Sequence, residues 1–270
     1  MRFYSAVRWG MGGFAAATAV RKVAEGRYAV DLDGDYGFQH ALNGGYLMAV
    51  LARAAIGESA HPHPVATSAS FLRVVTAGPA EIRVEPRKTG RTATVARVIL
   101  AQEGQDRVEA LITTGTLDGD AEPDYSAGQE KIPPVEECVT FEADNGFTRR
   151  IDLRYDPATM GWLDGRPSGV PEIRAHLRLR EPYDPDGILL ALAVDALPPV
   201  VLNTSASGWA PTVELTWHMR AVPAPGWLAV HGRGRLVSDG WFDEEVEVWD
   251  STGRLVAQSR QIARVGRGRS

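Results

Sequence analysis

An α+β fold built twice is predicted for this 270-residue sequence, as two antiparallel curved sheets, each wrapped around a central apolar helix. Three observations predict it. One helix followed by four strand-like runs occurs twice, each helix is apolar on nearly every side, and a polar stretch rich in Pro and Gly separates the two copies. A helix without a polar face must be surrounded by protein, and a long sheet curled around it does that. An eight-stranded lipocalin-like barrel would leave two such helices without a place.

In the first half, Asn43-Gly44-Gly45 opens a helix from Tyr46 to Ala55, rich in Leu, Ala and Met. Strand-like runs follow from Ala66 to Val75, Ala80 to Lys88, Thr92 to Gln102 and Asp106 to Thr114, broken by Gly78, Gly90 and Gly104 turns. In the second half Asp184 is the expected N-cap and Pro185 the first helical residue. The helix runs from Ile188 to Leu197 and is stopped by Pro198-Pro199. Four more strands are expected at Thr212 to Arg220, Trp227 to Val237, Glu244 to Trp249 and Leu255 to Ala263. Arg73 and Arg220 occupy matching places, as do Gly104 and Gly253, at nearly the same offset along the chain. Two such units side by side give a double hot-dog architecture, with one repeat over 10–117, a linker over 118–138 and the second repeat over 139–265.

Composition excludes several classes. With Lys+Arg 29 against Asp+Glu 34 and a net charge of −5, there is no electrostatic footprint for nucleic acid. The one basic cluster, Arg264, Arg267 and Arg269, reads as a solvated tail. A single cysteine, Cys138, allows neither an intramolecular disulfide nor a zinc site, which points to a reducing compartment. Arg2 and Arg8 precede an apolar run from Phe14 to Val20, but Arg21 and Lys22 stop it too soon for a secretory signal, and no run reaches membrane-spanning length. The expected setting is the cytoplasm, without a membrane partner.

Asp195 is the most informative residue. It is the only polar side chain between Ile188 and Leu197, and at helical spacing it shares a stripe with Ile188, Ala191 and Leu192. An ionised carboxylate there is costly unless hydrogen bonds or charges meet it. Either it lies in a frayed last turn facing water, or it is a buried acceptor that positions a water or a substrate. Thr212, which opens the next strand, and Gln261, near the end of the last, are ordinary strand residues when taken alone.

Together these three residues carry a family resemblance. The stretches Leu192-Ala193-Val194-Asp195, Pro211-Thr212-Val213-Glu214 and Ala257-Gln258-Ser259-Arg260-Gln261 resemble those of the acyl-CoA thioesterase II family, double hot-dog enzymes similar to TesB. The first half is similar to the same family in Asn43-Gly44-Gly45, in Phe71-Leu72-Arg73 and in the Gly90 hairpin before Arg97-Val98. It departs in having Glu214 and Leu215 where Asp and His are common, and Thr67, Ser68 and Ala69 where a His is often seen. The resemblance implies hydrolysis of a fatty or related acyl-CoA to the free acid and CoA. Asp195, Thr212 and Gln261 would be the catalytic set holding a water, with Asp195 as general base. It also implies substrate contacts from Asn43, Gly44 and Gly45 at a helix start, where free N–H groups suit a developing oxyanion. Arg73, Arg87, Lys88, Arg91 and Arg97 are candidates for the phosphates of CoA, and a homodimer or higher homo-oligomer is expected.

Other motifs point elsewhere only weakly. His61-Pro62-His63 reads as an exposed loop rather than a metal pair, and His218 as a packing residue on the Thr212 face. Five of the seven tryptophans, from Trp209 to Trp249, read as core and interface packing. There is no G-x-S-x-G elbow, no G-x-G-x-x-G after a strand and no Walker pattern, so neither a metal nor a cofactor is expected. A hot-dog dehydratase would need His paired with an acid on a central helix, and neither helix contains His. The alternative of another class is a hot-dog protein that binds an acyl-CoA or acyl carrier without hydrolysing it.

Overall fold

A computed structural model describes residues 12–38, 40–141, 145–204 and 210–265. Arg2, Arg8, Trp209, Arg267 and Arg269 lie outside the described residues. Each half is built on the same core of five strands and one central helix, and a further strand, Arg21–Ala24 in the first and Ile151–Tyr155 in the second, extends each outer edge of the sheet. The first has β1 (Arg27–Leu32), helix α1 (Gly44–Gly57), β2 (His63–Phe71), β3 (Gly78–Thr89), β4 (Ala93–Gln102) and β5 (Gln105–Gly115). The second has β6 (Glu172–Leu179), helix α2 (Gly187–Ala193), β7 (Thr212–Met219), β8 (Leu228–Arg233), β9 (Trp241–Trp249) and β10 (Leu255–Arg264).

The antiparallel sheet order is β1-β3-β4-β5-β2 in one half and β6-β8-β9-β10-β7 in the other, so the two halves share a topology as well as an element order. They are joined edge to edge. β2 pairs with β7 from Ser70 opposite Glu214 to Ala66 opposite His218, which fuses the two expected sheets into one continuous sheet. This is a double hot-dog in which the edge strand of each half is covered by the other half.

The strands preceding each helix, β1 and β6, were not expected from the sequence. In β6, Ile173, Ala175, Leu177 and Leu179 form the buried phase, with Arg174 and Arg178 between them. Those arginines pair with Asp156 at 2.9 Å and Asp152 at 3.4 Å, which gives two buried carboxylates a cationic partner. β2 ends at Phe71, short of the expected Val75, because the Leu72 and Arg73 N–H groups both donate to the Arg107 carbonyl and break the ladder. Residues 72–76 then leave the sheet. The expected Trp227 to Val237 strand is also shorter, and Val237–Ser238 pairs separately with β9.

α1 is capped by Asn43, whose side-chain oxygen accepts from Tyr46 N–H at 2.9 Å. Leu47, Met48, Val50 and Leu51 are all buried, each stabilising the fold by roughly 1.5–3 kcal/mol relative to exposure. α2 ends at Ala193, short of the expected Leu197, and its first helical residue is Gly187 rather than Pro185. Its cap is Asp186, not Asp184, accepting from Ile188 N–H at 2.9 Å and Leu189 N–H at 2.8 Å. At its other end Asp195 N–H reaches back to the Leu192 carbonyl at 3.1 Å, a tighter three-residue step, and Ser259 of β10 donates to the Val194 carbonyl at 3.3 Å. Asp195 therefore sits just beyond the helix end.

The first turn of α1 lies against the last turn of α2. A Cβ added to Gly45 would lie 2.8 Å from both the Ala191 and Leu192 carbonyl oxygens and 3.0 Å from Asp195 Cβ. Only a residue without a side chain permits this approach. Gly45→Ala should lower stability by about 1–3 kcal/mol through overpacking, read as a shift of the urea midpoint. An unchanged midpoint would contradict the close contact of α1 with α2.

Candidate active site

A cavity of about 670 Å³ opens where the two halves join. Its apolar wall includes Leu47, Phe71, Val75, Phe147, Leu153 and Trp162, and Asn43, Gly44, Asp195, Thr212, Glu244 and Gln261 supply polar groups. Asp195, Thr212 and Gln261 are thus brought to one cavity from the end of α2, the start of β7 and the middle of β10.

Asp195 is partly exposed, on the cavity wall, and its carboxylate is held by the first half of the chain. Oδ2 accepts from Gly45 N–H at 2.8 Å and from Asn43 Nδ2 at 3.1 Å, and Asn43 Nδ2 also donates to the Asp195 carbonyl at 2.8 Å. Removal from water pushes the Asp195 pKa up from its ordinary 3.8 to about 6, against the opposing pull of the Gly45, Asn43 and Gly44 donors. The N-terminus of α1 adds a positive dipole end that favours the ionised form. Its glycine amides, expected to serve an oxyanion, are directed at the candidate base instead, and Asn43 is spent on that base and on its own cap.

Thr212 reaches the cavity because of a bulge. It pairs with Ala263 and Leu215 pairs with Gln261, so three residues of β7 span two of β10, and the register shifts between Thr212 and Glu214. Without the shift, strict alternation would place Thr212 on the outer face with Glu214 and His218. His218 consequently does not share the Thr212 face, contrary to expectation. Thr212 Oγ1 donates to Gln261 Oε1 at 2.5 Å.

Glu244 is a site residue that sequence reasoning missed. It is 2% exposed, lies directly opposite Gln261 across β9 and β10, and accepts from Gln261 Nε2 at 3.2 Å and from Val200 N–H at 2.9 Å. Burial first, and then the Asp195 charge, push its pKa up from 4.5 to about 8, against the Val200 and Gln261 donors. The signal was in the strand: Phe242, Glu244, Val246 and Val248 share one buried phase, and the Glu interrupts it.

Among the five basic candidates, Arg73 lines the cavity, with Nη1 donating to the Asp106 carbonyl at 2.9 Å. Arg91 is exposed on the Gly90 hairpin and is not part of the cavity wall. Arg97 is engaged by Glu109 at 2.7 Å, and Arg87 by Glu85 at 3.0 Å. His61 is buried rather than in an exposed loop, its ring bridging Thr116 Oγ1 at 3.1 Å and the Gly90 carbonyl at 3.0 Å. Arg264 is likewise not a free tail residue, since its guanidinium lies 4.6 Å from the Trp241 ring centroid. Away from the cavity, His231 stands between Glu172, 2.8 Å from Nε2, and Glu130, 3.9 Å from Nδ1. Its two nitrogens face different carboxylates.

Family models of the acyl-CoA thioesterase N-terminal domain and C-terminal domain match residues 32–116 and 120–265. The chain belongs to the acyl-CoA thioesterase family. The solved structure of a proposed thioesterase II from Thermobifida fusca is similar to it, with a TM-score of 0.90 and 48% identity, covering 94% of this chain and 97% of that one. A hot dog fold protein of unknown function from Alicyclobacillus acidocaldarius shares the fold at a TM-score of 0.81 and 21% identity, covering 95% of this chain and 98% of that one. An uncharacterized protein of Mycobacterium tuberculosis is 34% identical over 253 residues, 83% of this chain and 86% of that protein. Among the described residues, no helix of this thioesterase-family chain is long and apolar enough to cross a membrane.

Folding raises the pKa of both acids, so their contribution to stability is complete below about pH 4. It is lost as pH rises through about 6 for Asp195 and about 8 for Glu244. Between pH 6.5 and 8 stability should therefore fall by roughly 1 kcal/mol per pH unit and level off above that, and Glu244→Gln should flatten that fall. Urea unfolding at several pH values measures both. A wild-type stability that rises over this window would contradict the burial of Glu244 without a cation.

Proposed function

We propose that this protein hydrolyses a fatty or related acyl-CoA to the free acid and CoA, with Asp195 as general base and Thr212 and Gln261 as the groups that hold the attacking water. The observation that carries this reading is the Asp195 carboxylate, fixed by donors from the opposite half of the chain on the wall of an otherwise largely apolar cavity. A carboxylate has about four lone-pair directions, so the Gly44, Gly45 and Asn43 donors leave room for a water proton. A pKa near 6 makes Asp195 a better proton acceptor than an ordinary aspartate while leaving it mostly ionised at neutral pH.

In the reaction, the water oxygen bonds to the thioester carbon as its proton passes to Asp195. Collapse of the tetrahedral intermediate breaks the carbon–sulfur bond, and the departing thiolate takes the proton back. On this reading the acyl chain lies along Phe71, Val75, Phe147, Leu153 and Trp162, and Arg73, which also lines the cavity, meets a phosphate of CoA. No acyl-enzyme is needed.

Asp195→Asn keeps the size of the side chain and its contact with Asn43 but removes the base. With acyl-CoAs of several chain lengths and a thiol reagent, kcat should drop about 10²- to 10⁴-fold. Wild-type activity should also decline as pH falls below about 6, where Asp195 becomes protonated. Equal thiol release by wild type and variant would overturn the mechanism, and binding of acyl-CoA without release by either would show a non-hydrolysing binder.

A further inference from the structure

Glu244 has no part in the hydrolysis described above, yet it is the most enclosed acid on the cavity wall. We propose that Glu244 is a positioning residue: its protonation state sets which way round the Gln261 amide stands, and hence whether the Thr212–Gln261 pair offers the attacking water an acceptor. This rests on the hydrolase reading.

Geometry supports it. Both groups recorded at the Glu244 carboxyl are donors, Val200 N–H to Oε2 and Gln261 Nε2 to Oε1. An ionised carboxylate satisfies both. A protonated one brings a hydrogen that neither neighbour can accept, unless Gln261 turns round, which exchanges its oxygen and nitrogen without moving any other heavy atom. In the turned state the Gln261 oxygen accepts from Glu244, and its nitrogen donates to Thr212 Oγ1. The amide oxygen is then withdrawn from the threonine side. With Glu244 ionised, that oxygen stays beside Thr212, where it can take one proton of the water whose other proton goes to Asp195.

Charges around Glu244 favour titration rather than permanent ionisation. The ionisable groups acting on it are Asp195 from the end of α2 and Asp243 beside it in β9, both acidic. The Val200 turn contributes a backbone N–H, and on β10 the facing side chain is the neutral Gln261, with Arg260 exposed on the other face. Among the described residues no salt bridge is made to Glu244. A midpoint of about 8 brings the switch within an accessible range of pH.

The test is kcat against pH from about 5 to 10 for wild type, Glu244→Gln and Asp195→Asn. In Glu244→Gln the new carboxamide must give its oxygen to Val200 N–H, so its NH₂ faces Gln261 and holds that amide turned at every pH. Wild type should rise through two inflections, near 6 and near 8. Glu244→Gln should keep the lower one, lose the upper one and remain on the order of tenfold slower at high pH, with KM changed little. An upper inflection that persists in Glu244→Gln would overturn the proposal. Should that variant fail to fold, the side-chain NH₂ resonances of Gln261 in the wild-type protein decide the matter. They should shift with a midpoint near 8, and resonances unmoved across that range would refute the switch. Wild-type rates in Asp195→Asn would instead sink the hydrolase reading, whereas a dead Asp195→Asn with an unchanged Glu244→Gln profile would sink the switch alone.

Discussion

A carboxylate from one half of the chain is gripped by the helix start of the other half, and the arrangement of the cavity follows from that contact. Gly45 N–H and Asn43 Nδ2 reach Asp195 at 2.8 and 3.1 Å across a separation of about 150 residues in sequence. The contact requires α1 to lie against the end of α2, which in turn requires glycine at 45, because any side chain there would meet the α2 carbonyls. It also requires α2 to stop early, so that Asp195 turns out of the helix toward the amides. The same donors that make burial of the charge tolerable orient it on the cavity wall.

Two acids line this cavity under different rules. Asp195 is met by three donors, while Glu244 sits deeper, with two donors and a neighbouring negative charge. Their environments separate their pKa values, a pattern in which two carboxyl groups of similar intrinsic acidity take different protonation states at one pH. Gln261 is the link, bonded to Thr212 on one side and Glu244 on the other. The polar side of the cavity is therefore a chain of hydrogen bonds laid across β7, β10 and β9 in sheet order, and the cross-strand register fixes its members.

Much of this was legible from residues alone. The element order, the two all-apolar helices and the isolated acid at Asp195 pointed to the repeated fold and to the cavity. Thr212 and Gln261 were found through spacing that resembles a known family. What escaped was set by phase and register rather than residue type. Thr212 faces inward only because of the bulge at Val213, and His218 was placed on its face by assuming strict alternation. Glu244 was visible as an acid in the apolar phase of Phe242, Val246 and Val248, but a strand begun at Glu244 hides that phase. The fusion of the two sheets through β2 and β7 depends on a contact between chain segments far apart, which no local pattern encodes.

The most direct measurement is the titration of the Asp195 carboxyl carbon by NMR, in wild type and in Asn43→Ala. If the two halves hold this group as described, its midpoint lies near 6 in the wild type and moves higher when the Asn43 donor is removed. A midpoint close to that of a free aspartate, unaffected by Asn43→Ala, would show that the carboxylate is neither buried nor gripped by α1.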